Sequence, residues 1–204
     1  MSARAASPPV PVIGLTGSVA AGKSEALAAF GRLGAETLST DAVVHELLGS
    51  PEVAASLAER WGDEVAPDGV VDRARVGALV FERPDELRWL EEALHPLVGE
   101  RVKAWRESLP AEATLAVVEI PLLFETGLDQ AFDATVAIVA DDEARAHRAG
   151  ARGTDRLDER SARQLSQDEK AARATHVLHN DGSREELEVA VKRLMPGLMS
   201  EASA

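Results

Sequence analysis

The chain has 204 residues, 45% of them hydrophobic, no cysteine and a formal net charge of −13. This length fits one domain with insertions, and the lack of cysteine excludes disulfides and thiolate chemistry, as expected in a reducing cytoplasm. The negative charge argues against nucleic acid or an anionic membrane surface as a partner, and no apolar run approaches the ~20 residues that a membrane span needs. Nothing in the sequence indicates an obligate protein partner. Residues 1–11 are small, polar and Pro-containing, which predicts a disordered tail.

The first predicted element is a strand that leads into a glycine-rich loop. The apolar run from Val12 to Leu15 is followed by a G-x-x-x-x-G-K-S sequence from Gly17 to Ser24, and then by a helical pattern. Such a loop points backbone N–H groups at phosphate oxygens, adds the charge of Lys23 and offers the Ser24 hydroxyl to Mg2+. A chance glycine turn is disfavoured by the apolar strand before it and the apolar helical face after it. The sequence therefore predicts a phosphate-binding loop.

Asp41 follows the second predicted strand, which spans residues 35–40. In a parallel sheet the ligand lies outside the carboxyl ends of the strands, which is also where the phosphate loop begins. Asp41 is therefore a candidate catalytic residue. It is equally suited to the N-terminus of the next helix, where capping and the helix dipole favour Asp.

Residues 50–110 show helical patterns without a strand pattern, which predicts a helical lobe inserted between sheet strands. Such a lobe could hold a second substrate. His95-Pro96 is expected to break one helix from the next, because the residue before proline is pushed out of the helical region. His95 then either caps a carbonyl at this junction or donates a hydrogen bond to the substrate.

Glu119 interrupts a β-rich apolar run over residues 114–120, which is typical of a central strand covered on both faces. Its carboxylate could hold Mg2+ through water, as the acidic residue of another strand does in many phosphate-loop enzymes. It could equally be a solvated residue at a strand end.

Arginines recur at offsets of three and four after the next predicted strand, residues 135–140: Arg145, Arg148 and Arg152. This spacing projects all three guanidinium groups from one helical stripe. Residues 144–173 carry eight basic against five acidic side chains in an otherwise acidic chain. A solvated charged face is the alternative, but a lid that brings arginines onto a transferred phosphoryl group accounts better for this charge.

The last predicted strand covers residues 175–179 and ends at a turn that begins with Asn180. Asn180 either reads a base edge or only builds the turn. Ser183 and Glu186 predict a capping box for a closing helix that ends at Pro196.

Taken together, these motifs resemble those of the dephospho-coenzyme A kinases over about residues 12–194. Besides the loop and the arginines, the resemblance rests on Ser39-Thr40-Asp41, on residues 68–73, on Val80-Phe81, on Leu94-His95-Pro96-Leu97, on residues 121–125, on Gln164 and on residues 177–182. It implies ATP-dependent phosphorylation of the ribose 3'-hydroxyl of dephospho-coenzyme A, giving coenzyme A and ADP, with Mg2+ as cofactor.

The resemblance also implies an α/β fold of the phosphate-loop NTPase class with three parts. These are a five-stranded parallel sheet core (12–49, 111–140 and 174–196), a helical coenzyme-binding lobe (50–110) and a lid (141–173). The segments read from the sequence fall into these places.

The motifs and the resemblance assign roles to individual residues. The expected catalytic residues are Asp41, Lys23 and Arg148. The expected ATP-binding residues are Gly17, Ala20, Ala21, Gly22, Lys23, Ser24, Glu25, Arg152 and Asn180. The expected substrate-binding residues are Thr16, Asp41, Arg73 and His95, and the expected metal ligand is Ser24.

The loop departs from the family pattern Gly-Gly-Ile-Gly-Ser-Gly-Lys-Ser-Thr at two informative positions, Ala20 and Glu25. Alanine at position 20 has fewer accessible backbone conformations than glycine. Glu25 places a negative charge where a threonine would help bind phosphate. We expect activity to survive with weaker ATP binding. The competing interpretations are another small-molecule kinase of the same fold and a nucleotide switch, which the lack of an Asn-Lys-x-Asp motif disfavours.

Overall fold

The computed structural model describes residues 10–151 and 164–201. Most of the predicted tail and Arg152 lie outside these residues. The chain divides into two compact units, one formed by Met1–Ser39 with Leu109–Ala204 and the other by Thr40–Ser108. The boundaries of the second unit differ from the predicted lobe, residues 50–110, chiefly because the helix that follows the second strand belongs to it.

The first unit is built on a parallel sheet of five strands. They are β1 (Val12–Gly17), β2 (Glu36–Ser39), β3 (Ala116–Glu119), β4 (Ala134–Val139) and β5 (His176–His179), in the order β2-β3-β1-β4-β5. Every neighbouring pair is parallel, with Leu15 of β1 opposite Glu119 of β3. This parallel sheet of five strands confirms the predicted fold class. The near-continuous apolar runs of β3 and β4 are typical of strands covered on both faces.

Helices cover both faces of this sheet. The unit contains α1 (Lys23–Arg32), α6 (Asp142–Ala151), α7 (Gln167–Arg173) and α8 (Arg184–Ser200). Helices α1 and α8 pack together over one face, with Phe30 and Leu198 fully buried among alternate strand residues. Helix α7 packs against β1 and β4, where Thr16 and Lys170 are also fully buried. The loop that follows β1, the middle strand of the sheet, leads directly into α1.

The second unit is helical. It contains α2 (Thr40–Leu47), α3 (Pro51–Trp61), α4 (Arg73–Glu82) and α5 (Pro84–Glu107), with short 3-10 turns at Asp63–Val65 and Pro67–Gly69. The predicted starts of three helices are confirmed: Ser50 and Asp72 accept hydrogen bonds as N-caps, and Pro84 opens α5. Both α2 and α4 pack along α5.

The predicted helix break at His95-Pro96 is wrong, because α5 continues through Pro96 to Glu107. A proline removes one backbone donor and kinks a helix without having to end it when packing holds both sides. Here α2 and α4 pack along the helix, with Leu90 and Leu94 buried just before the proline. The predicted end of the closing helix at Pro196 is wrong for the same reason, since α8 runs on to Ser200 and buries Leu198.

Within the described residues, each helix is too short or too polar to cross a membrane.

Candidate nucleotide-binding active site

The loop between β1 and α1 has the backbone of an anion-binding nest. Gly22 has a φ of 98° and Ala20 a φ of 62°, so left-handed residues occur twice within the loop. Successive amides in such turns form a concave donor surface, and the N-terminus of α1 adds its positive dipole end at Lys23. Gly22 is needed for a second reason, because a Cβ atom there would collide with the side-chain nitrogen of Asn180.

Lys23 and Ser24 open α1 beside this loop. The Nζ atom of Lys23 donates to the carbonyl oxygen of Ser18 at 3.1 Å, so the ammonium lies across the loop. The Oγ atom of Ser24 donates to Oε1 of Glu119 at 3.4 Å. Of the roles considered for Glu119, the solvated strand end is wrong, since the residue is only 3% exposed.

Ser24 and Glu119 together fit a magnesium site. A hydroxyl and a carboxylate are the hard oxygen ligands that Mg2+ prefers, and protein sites often supply only one or two such ligands beside waters and substrate phosphates. The described residues contain no group of three or more His, Cys, Asp or Glu side chains placed to hold a metal, so a cage made only of such side chains is absent from them.

Two of the predicted arginines contact the loop and its surroundings. Arg145 donates from Nε to the carbonyl oxygen of Val19 at 3.3 Å and pairs with Asp142 at 3.0 Å. Arg148 donates from Nη2 to the backbone oxygen of Asn180 at 2.8 Å and approaches its Oδ1 at 3.4 Å. The Nη1 atom of Arg148 is buried and makes no hydrogen bond among the described residues. Arg148 therefore keeps a donor available beside the loop.

Asn180 connects Arg148 to the loop. Its side chain is 5% exposed and donates from Nδ2 to the carbonyl oxygen of Ala21 at 2.8 Å, while its oxygens accept from Arg148. The amide group is thus already bonded on both sides. This arrangement gives Asn180 a part in shaping the loop, and its contact with ATP stays a prediction.

Glu25 turns toward α8. Its carboxylate pairs with Arg184 at 2.7 Å and with Arg32 at 3.1 Å, and Arg32 also pairs with Glu188 at 2.7 Å. Two guanidinium groups therefore offset the charge that the sequence places one residue after Ser24. The resulting network joins α1 to α8.

A cavity of about 310 Å³ adjoins the loop, at the lower end of the range for ligand pockets. Ser18 of the loop lines one part of it, and Asp142 and Arg145 of α6 and residues 164–168 line the rest. Its lining is mixed in charge, and it includes Gln164, whose Oε1 atom is buried without a hydrogen bond among the described residues.

Thr16 lies behind the loop with no exposed surface, so its predicted substrate contact stays untested. Its hydroxyl bonds to the carbonyl oxygen of Pro121 at 3.3 Å and to Nζ of Lys170 at 3.4 Å. Burial lowers the pKa of the Lys170 ammonium, and its hydrogen bond to Glu125 partly opposes this effect. Lys170 carries no signal in the sequence that indicates its burial, because a lysine among Asp168, Glu169 and Arg173 resembles a solvated helix face.

The remaining predicted residues belong to the second unit. Asp41 is exposed in the first turn of α2, a position that fits both roles considered for it. Arg73 opens α4, and its guanidinium contacts the imidazole of His45 in α2. His95 is exposed on α5, one residue before Pro96. Within this unit the structure thus brings together Arg73 and His45, and His45 carried no motif that could have indicated it.

The chain is similar in sequence to known proteins of one family. The family model described as dephospho-CoA kinase matches residues 11–186. A dephospho-CoA kinase of Jannaschia sp. is 36% identical over 190 residues, covering 91% of this chain and 97% of its own length. Another, from Deinococcus radiodurans, is 41% identical over 184 residues and 86% of each chain.

A solved structure extends this similarity to three dimensions. The Thermus thermophilus protein TT1252 superposes with a TM-score of 0.76 at 35% sequence identity, covering 94% of this chain and 99% of its own. The likeness spans nearly the whole of both chains and so includes the sheet and the helical unit.

Proposed function

The chain belongs to the dephospho-CoA kinase family, and from this premise we propose that it transfers the γ-phosphoryl group of ATP to the ribose 3'-hydroxyl of dephospho-coenzyme A. The family supports phosphorylation of dephospho-CoA with ATP as co-substrate; the choice of hydroxyl is our proposal. The observation that carries the proposed phosphoryl transfer is that Lys23, the Ser24–Glu119 pair and Arg148 all lie around one loop.

The loop and Lys23 would hold the phosphates of ATP. Its amides and the N-terminus of α1 supply donors without a charge of their own, and Lys23 would exchange its bond to Ser18 for the outer phosphates. Ser24 and Glu119 would hold Mg2+, which neutralises charge on the phosphate oxygens when bound. The chain's own part in phosphoryl transfer is thus alignment and charge stabilisation.

Arg148 would stabilise the charge that spreads over the transferred group. Asn180 holds one of its nitrogens at 2.8 Å, which leaves the buried Nη1 to bond a phosphate oxygen. A guanidinium fixed in this way loses little entropy on binding. Arg152, which lies outside the described residues, would act behind it in the proposed lid, residues 141–173.

Asp41 would accept the proton of the 3'-hydroxyl or orient that hydroxyl, and Arg73 and His95 would bind the coenzyme precursor from the helical unit. These three roles rest on the family resemblance. With these roles, the helical unit would bind the acceptor substrate. We further propose that the reaction takes place in the cytoplasm, a reducing compartment that suits a chain without cysteine.

The test is turnover of ATP with Mg2+ and dephospho-CoA, with the product identified by mass. We expect a gain of one phosphate, no gain with the 3'-deoxy analogue and none in Lys23→Ala. Phosphorylation of the 3'-deoxy analogue would contradict the proposed acceptor. Transfer to another hydroxy compound instead of dephospho-CoA would indicate a different small-molecule kinase.

Asp41→Asn tests the proposed base. We expect kcat to fall at least about 10²-fold, as is typical for loss of a general base, with little change in KM for ATP. Asp63→Asn removes an exposed carboxylate from the same unit and should leave kcat unchanged. A loss smaller than about tenfold in Asp41→Asn would rule out the role.

A further inference from the structure

Lys170 is a lysine without exposed surface, to which the proposed function gives no task. Its Nζ atom donates to the carbonyl oxygen of Pro121 at 2.7 Å, to Oε1 of Glu125 at 2.9 Å and to Oγ1 of Thr16 at 3.4 Å. An ammonium group has three donors, so these partners use all of them. A charge is costly to bury unless it is paired and bonded in this way, which makes the position specific.

Two of the three partners of Lys170 lie at strand ends next to the proposed metal ligands: one at the end of β1, which leads into the loop before Ser24, and one just after β3, which carries Glu119. Thr16 stands in β1 next to Gly17, where the loop to Ser24 begins, and Pro121 follows Glu119 of β3 by two residues. The Thr16 hydroxyl also donates to the Pro121 carbonyl at 3.3 Å. The ammonium thus ties the end of β1 to the end of β3.

Glu125 extends this connection to the residues before α7. Its Oε1 atom accepts from the backbone N–H of Leu165 at 2.8 Å as well as from Lys170. The ion pair therefore fixes the start of α7 and both strand ends around a single buried charge.

We propose that Lys170 is a positioning residue for the Mg2+–nucleotide site, acting by setting the placement of Ser24 relative to Glu119. The inference rests on the proposed function, since that is what makes these two side chains metal ligands. The Oγ atom of Ser24, in the first turn of α1, lies 3.4 Å from Oε1 of Glu119 at the end of β3. The loop that carries Ser24 leaves β1 next to Thr16, so Lys170 joins the two strand ends that lead to these oxygens. Mg2+ demands near-ideal octahedral geometry at about 2.0–2.1 Å, so small shifts between the strand ends alter its affinity.

The opposing view is that the ion pair only stabilises the fold. A buried ion pair can often be replaced by neutral residues without loss of stability, whereas removing one partner leaves an unpaired buried charge. The informative variant is therefore Lys170→Met with Glu125→Gln. Methionine keeps the length of the side chain, and glutamine keeps an acceptor for the Leu165 N–H.

The experiment measures ADP binding by calorimetry with and without Mg2+, which requires no turnover, together with the melting temperature. We expect the double variant to bind ADP alone as the wild type does and to melt within a few degrees of it. Its apparent Mg2+ affinity should be roughly tenfold weaker, the usual lower bound for residues that orient metal ligands. Lys192→Met, the same change at an exposed lysine of α8, should alter none of these values.

Wild-type Mg2+ affinity in the folded double variant would overturn the inference, and so would equal losses of ADP and Mg2+ affinity, which indicate general distortion. If the double variant does not fold, Thr16→Val decides, because it keeps the ion pair and removes the hydroxyl that joins Lys170 to β1. A several-fold weakening of Mg2+ binding there supports the inference, and an unchanged value overturns it. If Mg2+ has no effect on ADP binding by the wild type, the proposed metal site itself fails.

Discussion

Ala20 holds a backbone conformation that alanine rarely adopts. Its φ of 62° lies in the left-handed region, which costs a residue with a Cβ atom about 1–2 kcal/mol. The phosphate loop of this chain therefore carries strain where the resembled family has glycine.

Ala20→Gly should relieve this strain. The gain exceeds the roughly 0.5–1 kcal/mol that glycine loses in chain entropy, so we expect a net stabilisation of up to about 1 kcal/mol. That corresponds to a melting temperature about 2–4 °C higher for a protein of this size, measured by calorimetry. Ala21→Gly is the matched control: Ala21 is fully buried and its φ is not positive, so the same change should destabilise. A lower melting temperature in Ala20→Gly would show that the loop is unstrained.

Glu25→Thr separates two effects at the next unusual position. Removing a carboxylate near the phosphates should tighten ADP binding by roughly two- to fivefold, the range for a charge at a helix N-terminus. The same change breaks the pairs with Arg32 and Arg184 and should lower the melting temperature slightly. Arg184→Gln, which leaves Glu25 less compensated, should weaken ADP binding. Unchanged ADP affinity in Glu25→Thr would mean that Glu25 does not weaken nucleotide binding.

At the scale of elements, the sequence predicted those features that depend on neighbouring residues, such as helix starts and apolar strands. Strand β3 could be read from its apolar, β-rich run, and the starts of α3, α4 and α8 from Ser50, Asp72 and the Ser183–Glu186 capping box. The loop motif could be read because its chemistry needs fixed residue types at fixed offsets.

The features that the sequence did not predict depend on contacts between residues that are distant in the sequence. The local effect of Pro96 favours a break, yet packing of α2 and α4 along α5 keeps the helix continuous. Lys170 follows a capping box and stands among charged residues, and its burial depends on bonds to Thr16, Pro121 and Glu125, all distant in the sequence. Neither outcome has a signature in the neighbouring residues.

Pro96→Ala should stabilise α5. An interior proline costs up to about 3 kcal/mol relative to alanine, and alanine restores a donor for the carbonyl four residues earlier. We expect a higher melting temperature together with a higher KM for dephospho-CoA, because the proline next to His95 would set the direction of that proposed substrate-binding side chain. Pro196→Ala in α8 makes the same change outside the proposed substrate unit and should raise the melting temperature alone. An unchanged KM in Pro96→Ala would mean that Pro96 plays no part in substrate binding.

At the scale of the whole molecule, charge and function oppose one another. A chain of net charge −13 repels anionic ligands, yet the described loop is approached by Lys23, Arg145 and Arg148. The attraction for phosphate is therefore local, made by side chains and amides within about a Debye length of the site. The stability of the second unit can be followed separately through its tryptophans.

All three tryptophans of the chain lie within Thr40–Ser108, so tryptophan fluorescence reports the stability of that unit. Glu86 accepts from Trp61 at 2.9 Å and pairs with Arg60 at 3.0 Å, and the Trp61 bond, followed by Arg60, lowers the pKa of this carboxyl below its ordinary value of 4.5. A lowered pKa means that the stabilisation is complete above 4.5 and is lost as the pH falls through the folded-state pKa.

Glu86→Gln should therefore melt at a lower temperature than the wild type at pH 7, and the difference should shrink as the pH falls from 5 toward 3. Thermal unfolding followed by tryptophan emission at each pH measures this, because the fluorophore is itself one of the bonded groups. Asp85→Asn, at a side chain 90% exposed, controls for the change of one charge. A difference between Glu86→Gln and the wild type that stays constant from pH 7 to pH 3 would mean that the carboxylate charge does not stabilise this unit, and that glutamine fails there for its shape alone.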